Sequence, residues 1–183
     1  MTTLAYDGKT LCADKQVTRG SNLTQHKMSK LRKGHFQDHK GNKVKFMFGL
    51  CGDAGMVDLV ASWFVIEGWQ MIPTYLSRTL KSEGVTEGCS LNTLMSKFPN
   101  GGTDVDFDAI FILDTGEVWA MSSDMTGFIR EEAPYTSGDG GQVALGAMLA
   151  GADAKKAVAI ASDVNCFTGH GLLSMTLPTK KKN

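Results

Sequence analysis

No apolar run in this sequence approaches the ~18–20 residues that a helix needs to span a bilayer. The N-terminus also has neither the basic stretch nor the apolar core of a signal peptide. Charge of one sign is missing too, because 19 Lys and Arg balance 19 Asp and Glu. A chain without a global field does not gather DNA or anionic membrane, so neither is an expected partner. Cysteine is sparse: Cys12, Cys51, Cys89 and Cys166 lie far apart and form no CxxC pair. That pattern reads as reduced, mostly buried thiols in a cytoplasmic protein. Internal repeats and linkers are absent as well. Residues 1–183 are therefore expected to form one domain with a real core, trailing into a disordered basic tail from about 178 to 183.

What is present alternates between strand and helix patterns. Thr3 to Tyr6 and Thr10 to Ala13 read as strands joined by the turn Asp7-Gly8-Lys9. Residues 14–27 are polar and turn-rich, and Met28 to Leu31 leads into a basic loop around RKGHFQDHKGNK. The segment KVKFMFGLCG alternates and then turns apolar, as a strand entering a core does. Helical spacing runs from Ala54 to about Gly68, with a shorter helix expected over Pro73 to Ser82 and irregular structure over 83–105. FDAIFIL, EVWAMS and GFIREE form an expected antiparallel meander. YTSGDGGQ is expected to open a small-residue helix, VALGAMLAG, followed by a second helix, DAKKAVAIAS, and a last strand, LLSMTL. This order suits an α+β layered sandwich.

Several chemistries compete for these residues. His35 and His39 in HFQDH have the spacing of a zinc pair on one helical face, but flanking glycines favour a surface loop. The lysines and arginine from Lys27 to Lys45 can track phosphates, yet such a run is more often a solvated loop. SGDGG before a helix offers amides to an anion, but Asp139 in its middle would repel a phosphate, and a helix-capping loop is favoured. The fourth candidate is Thr2. Removal of Met1 would leave Thr2 with a free α-amine, titrating near pH 8, beside its own hydroxyl. Its companions come in order: Asp14 after the first hairpin, Lys30 sixteen residues on, and Gly49 closing a strand before a helix. A threonine nucleophile needs a base, a cation to hold that base neutral, and amides for the oxyanion.

TTLAYDGKTLCADKQVT, SKL, FGLCGDAG and YTSGDGGQVALGAMLAGADAKKAVAIASDVNCFTG together resemble an N-terminal-nucleophile hydrolase. The type is the proteasome β-subunit, as in the bacterial HslV peptidase. The resemblance implies a four-layer αββα sandwich with two antiparallel sheets and a threonine endopeptidase working inside a homo-oligomeric ring. That ring would be hexameric or heptameric, single or double, and served by an ATP-dependent unfoldase, with peptides or unfolded proteins as substrates. It implies Thr2 as nucleophile, Asp14 and Lys30 as the paired carboxylate and ammonium, and Gly49 as oxyanion donor. Asp163 matches a late aspartate that orients the site. Ser162, Asn165 and Thr168 match positions that bind Na+ or K+ through carbonyls, and no organic cofactor is implied.

The chain departs from that pattern where the family has a serine near the threonine amine, since the aligned residue is Asp139. A carboxylate there raises the amine pKa and slows a base at neutral pH. Alternatively Ser137 fills the serine's place, or Asp139 points elsewhere. The middle of the chain also lacks the family's second long helix, so ring size or stacking is open. Two rival readings remain: a non-catalytic ring or scaffold protein, favoured by Asp139 or a retained Met1, and a related amidase acting on a small molecule.

Overall fold

Short runs of alternating and fully apolar residues pair into sheets along this chain. The computed structural model describes residues 2–19, 22–24, 29–52, 56–75, 106–123 and 128–178. Strands β1 (Thr3–Tyr6) and β2 (Thr10–Asp14) form the expected first hairpin. Gly8 turns it at φ +93°, and the Asp7 carboxylate accepts the amides of Lys9 and Thr10 at 2.9 and 2.7 Å. Inside the polar stretch that follows, β3 (Val17–Arg19) and β4 (Asn22–Thr24) pair with each other, a small hairpin that the composition did not suggest.

The expected basic loop is a hairpin. β5 (Leu31–Gln37) and β6 (Lys43–Gly52) pair antiparallel around a turn in which Asp38 accepts the amides of Lys40 and Asn42. Its basic residues alternate with buried ones, for example Phe36 and Val44, so a strand with one wet face had the composition of a loop. β7 (Phe107–Leu113), β8 (Val118–Ser122) and β9 (Ile129–Glu131) make the expected meander and complete a five-stranded sheet ordered β5-β6-β7-β8-β9.

YTSG is a strand, not the opening of a helix. β10 (Tyr135–Gly138) pairs with β1 to give a four-stranded sheet ordered β10-β1-β2-β11, with β11 at Leu172–Thr176. Helix α1 spans Met56–Ile66, and a 3-10 turn follows at Gly68–Met71. α2 (Gly141–Leu149) and α3 (Ala154–Val164) come late in the chain. α3 begins firmly, since Asp153 caps Lys156 N at 2.8 Å and Asp7 accepts Ala154 N at 3.0 Å. Pro73 to Tyr75 is a turn. The rest of the expected helix to Ser82, the segment 83–105, Met1 and most of the basic tail lie outside the described residues. None of the described helices is long and apolar enough to cross a membrane.

Among the described residues, apolar burial falls into three clusters. Leu4, Leu11, Leu31, Met47, Ile110 and Ile112 draw on both sheets. Phe46, Phe48, Phe111, Trp63 and Phe64 join the five-stranded sheet to α1. Ala5 and Cys12 meet Ala144, Ala157, Val158 and Ala161 of the late helices, whose small side chains allow close approach to β1 and β2. The molecule is thus α+β, with two larger antiparallel sheets and three α-helices among the described residues.

Candidate functional site

The end of β2 and the start of β1 set the site. Thr2 is buried, 3% exposed, immediately before β1, and Asp14 closes β2 with no exposure at all. Asp14 Oδ1 accepts the Thr3 amide at 2.7 Å and the Lys30 ammonium at 2.9 Å. Its Oδ2 accepts the Gln16 amide at 2.9 Å and the Gly169 amide at 3.4 Å. Two donors per oxygen fill a carboxylate's capacity, so this buried charge is fully paired. Lys30, 3% exposed, sits just before β5, and its carbonyl accepts Leu50 N of β6 at 3.2 Å. Burial pushes the Lys30 pKa down, and the Asp14 charge and hydrogen bond oppose that shift. The peptide bond joining Thr2 to Thr3 is therefore held by the same carboxylate that holds a buried ammonium.

The Thr3 hydroxyl reaches a second segment. It lies 2.7 Å from the Thr168 hydroxyl, and both residues are buried. Thr168 belongs to the turn after α3, closed by Thr168 N donating to Asn165 O at 3.1 Å. Asn165 Nδ2 in turn donates to the Asp139 carbonyl at 3.0 Å, linking this turn to the one between β10 and α2. The glycines of SGDGG now have a reason. At Gly138, φ +85°, a Cβ would run into the Thr2 carbonyl, and at Gly140 it would run into the Thr3 hydroxyl. Gly138 and Gly140 thus serve close approach to Thr2 and Thr3.

Other expected site residues sit differently. The Gly49 amide does not face Thr2. Leu50 N donates to Lys30 O, so by antiparallel alternation the Gly49 amide points the other way, to Ile110 across the β6–β7 ladder. The open side of Gly49 is filled by Leu4, Leu11 and Leu31, whose Cδ2 atoms lie 3.1–3.3 Å from where a Cβ would stand. Gly52 ends β6 at φ +103°, and the same alternation turns its amide away from β7. The Asp139 side chain is exposed in its turn, and Asp163 is exposed on α3. The Ser162 hydroxyl donates to Val158 O at 2.9 Å, a bond within its own helix. His35 stands on β5, whereas His39 lies in the following turn with its ring 4.9 Å from that of Trp69. Their spacing thus spans a strand end and a turn, not a helical face. No group of three His, Cys, Asp or Glu suited to a metal occurs among the described residues.

Three strands bring together a polar set of which only Ser137, the alternative to Asp139, stood out in the sequence. Cys51 on β6 and Ser137 on β10 are buried, with Sγ and Oγ 2.9 Å apart. Ser137 Oγ donates to Asp108 Oδ2 on β7 at 2.9 Å. Burial pushes the Cys51 thiol up to about 12. Three such residues from distant parts of the chain meet only through sheet register, which no local motif announces.

Comparison with solved structures adds to this geometry. The chain is similar to Thiobacillus denitrificans BPH, with a TM-score of 0.59 and 15% identity over 99% of each chain. It is also similar to Anbu (ancestral beta-subunit) from Yersinia bercovieri, with a TM-score of 0.57 and 12% identity over 97% of this chain and 82% of that one. The fold is proteasome-like. A structure of the same Thiobacillus denitrificans BPH in complex with epoxomicin matches over 98% of each chain, with a TM-score of 0.59 and 15% identity. At these identities the proteasome-like neighbours define the fold alone and do not single out HslV. No family model matches the chain, and no curated protein matches it.

Proposed function

We propose that this chain is a threonine-type N-terminal-nucleophile peptidase acting after removal of Met1. The observation that carries the reading is the buried Asp14–Lys30 pair, in which Asp14 also grips the Thr3 amide. An ammonium placed there favours a neutral α-amine at Thr2 over an ammonium, because like charges repel. The amine takes the proton of the Thr2 hydroxyl as Oγ1 attacks the scissile carbonyl. Collapse of the tetrahedral intermediate breaks the C–N bond, and the same proton goes to the leaving amine. Water, deprotonated by the Thr2 amine, then cleaves the acyl-enzyme ester and regenerates the hydroxyl. With the Gly49 amide turned to β7, we assign the oxyanion donor to the Gly52 amide at the end of β6.

The finer architecture belongs to the same proposal. Three apolar clusters, one drawn from both sheets and one on each helical side, support a four-layer αββα order. Exposed Leu149, Ile66 and Val164, at 72, 70 and 67%, support association of copies into a homo-oligomeric ring. Its ring number, the peptide or unfolded-protein substrate and an ATP-dependent unfoldase are carried from the resemblance, and a cytoplasmic setting from the sparse, unpaired cysteine pattern. A monovalent cation, Na+ or K+, fits the carbonyls of Ser162, Asn165 and Thr168 in donor type. These positions span the last turn of α3 and the turn beyond it; Asn165 O already accepts Thr168 N, so it would offer its second lone pair.

Intact mass spectrometry with and without epoxomicin, the ligand named for one structural neighbour, tests the reading. The expected result is a mass lacking methionine, an adduct on the wild type and none on Thr2→Ala. Retained Met1, or labelling that survives Thr2→Ala, overturns it. Asp139→Ser probes the departure from the family: if the carboxylate raises the amine pKa, the variant turns over peptide faster near pH 7.

A further inference from the structure

The space between the two larger sheets is apolar along most of its length, filled by residues such as Leu4, Leu11, Met47 and Ile112. At one end a polar chain spans its rim, from buried Cys51 and Ser137 to the exposed Asp108. Ser137 has one hydroxyl proton, which goes to Asp108 Oδ2, so the Cys51 thiol is the donor to Ser137 Oγ. The chain runs from β6 to β10 and back to β7, tying the four-stranded sheet to the five-stranded one. Nothing in the catalytic steps above uses it.

Its location gives it a task. Ser137 immediately precedes Gly138, the residue paired with Thr3 and lying so close to the Thr2 carbonyl that no Cβ would fit. Cys51 touches the same spot, with its Cβ 3.4 Å from where a Gly138 Cβ would stand. Cys51 also immediately precedes Gly52. A polar group in an apolar interface adds little net stability compared with a well-packed apolar one, but its geometry is specific. We propose that Cys51, Ser137 and Asp108 are positioning residues that fix the ends of β6 and β10 against Thr2. They hold the nucleophile's backbone and the Gly52 amide in one frame. This inference rests on the threonine-nucleophile reading only for its effect on rate.

The test compares Ser137→Ala, Cys51→Ala, Cys51→Ser and Asp108→Asn with the wild type. It measures peptide turnover and amide hydrogen exchange in segments 2–6 and 135–138. The expected result is a fall in kcat of about tenfold for Ser137→Ala and Cys51→Ala, because small misplacements of reacting groups are costly. KM should stay within about twofold, as ground-state binding is untouched. Cys51→Ser and Asp108→Asn, which keep a donor and an acceptor respectively, should retain most of the rate. Exchange in both segments should rise in the alanine variants while the unfolding midpoint barely moves. Unchanged kcat, or a loss confined to KM, overturns the proposal. If the wild type hydrolyses no peptide, the proposed function fails and exchange alone decides: faster exchange in the alanine variants upholds the tie, and unchanged exchange overturns it.

Discussion

Two ion pairs begin two residues apart in the chain and have almost the same length, yet they occupy opposite environments. Lys30 meets Asp14 at 2.9 Å with side chains 4% and 0% exposed. Arg32 meets Asp58 at 2.7 Å with side chains 30% and 73% exposed. Distance therefore says little about what either pair does. The exposed pair competes with water at every moment, and such pairs contribute about 0–1 kcal/mol. The buried pair has surrendered its hydration, so it persists only because Asp14 accepts two backbone amides at 2.9 Å or less besides the ammonium. Under the proposed function, that cost serves to hold charge beside Thr2.

The sharpest way to break the contrast is Asp14→Ala. It leaves Lys30 buried without that partner and strands the amides of Thr3 and Gln16, so we expect a loss of about 3–5 kcal/mol. Turnover should vanish with it, read by urea unfolding alongside the peptide assay. A loss below about 1 kcal/mol would place this pair with its exposed counterpart. Lys30→Met comes next. Asp14 keeps its backbone donors and the buried ammonium is replaced by an apolar chain, so the stability cost should be smaller, about 1–3 kcal/mol. Peptide turnover should nonetheless be abolished. Retained turnover would show that the ammonium plays no part in holding the Thr2 amine neutral.

The same two pairs show how much could be read in advance. Asp14 and Lys30 were legible as candidates because a fixed spacing survives folding: a strand ends, a loop passes, and a lysine returns. The β1–β2 hairpin and the β7–β9 meander were legible for a similar reason, since their pairing is local and their turns are marked by Asp7-Gly8 and Asp114-Thr115-Gly116. Gly49 was different. Whether its amide is free or bound depends on the phase of hydrogen-bond alternation along β6, and a glycine in a sequence carries no phase. β10 was misread because its partner is β1, more than a hundred residues away, while the helix behind it begins only three residues on. Cys51 and Asp108 escaped for the same reason, and Ser137 was legible only as an alternative to Asp139. The Arg32–Asp58 pairing was equally unreadable, because it depends on how α1 docks on the five-stranded sheet.

A third carboxylate falls between the two extremes and turns the contrast into a pH experiment. Asp7 is half-buried and accepts the amides of Lys9, Thr10 and Ala154, with no ion pair among the described residues. Burial pushes its pKa up, but the bonds from Ala154, Thr10 and Lys9 outweigh burial and leave it lowered. A carboxylate lowered in the folded state adds stability that is complete above its unfolded value, near 4, and disappears as pH falls through the folded value. Asp7→Asn should therefore lower stability at pH 7 and flatten the acid limb of the stability profile below about pH 4. A parallel downward shift across the whole range would mean that lost shape, rather than lost charge, explains the change.

The smallest effect belongs to Arg32→Ala. Arg32 Nε and its terminal nitrogen both reach Asp58 Oδ1, and another guanidinium nitrogen donates to the carbonyls of Ser29 and Leu31. The ion pair itself should be worth less than about 1 kcal/mol, and that part should fade as salt rises, because exposed charges are screened. The bonds to Ser29 and Leu31 are uncharged at the acceptor and flank Lys30 in the chain, so they should resist salt. Asp58→Ala removes only the ion pair, whereas Arg32→Ala removes both sets. Urea unfolding of the two variants at low and high salt separates them. Asp58→Ala should converge on the wild type in high salt, while Arg32→Ala should keep a residual deficit and a modest fall in turnover through the loosened Ser29–Leu31 backbone. Equal behaviour of the two variants at every salt concentration would show that the segment holding Lys30 needs no support from its exposed neighbour.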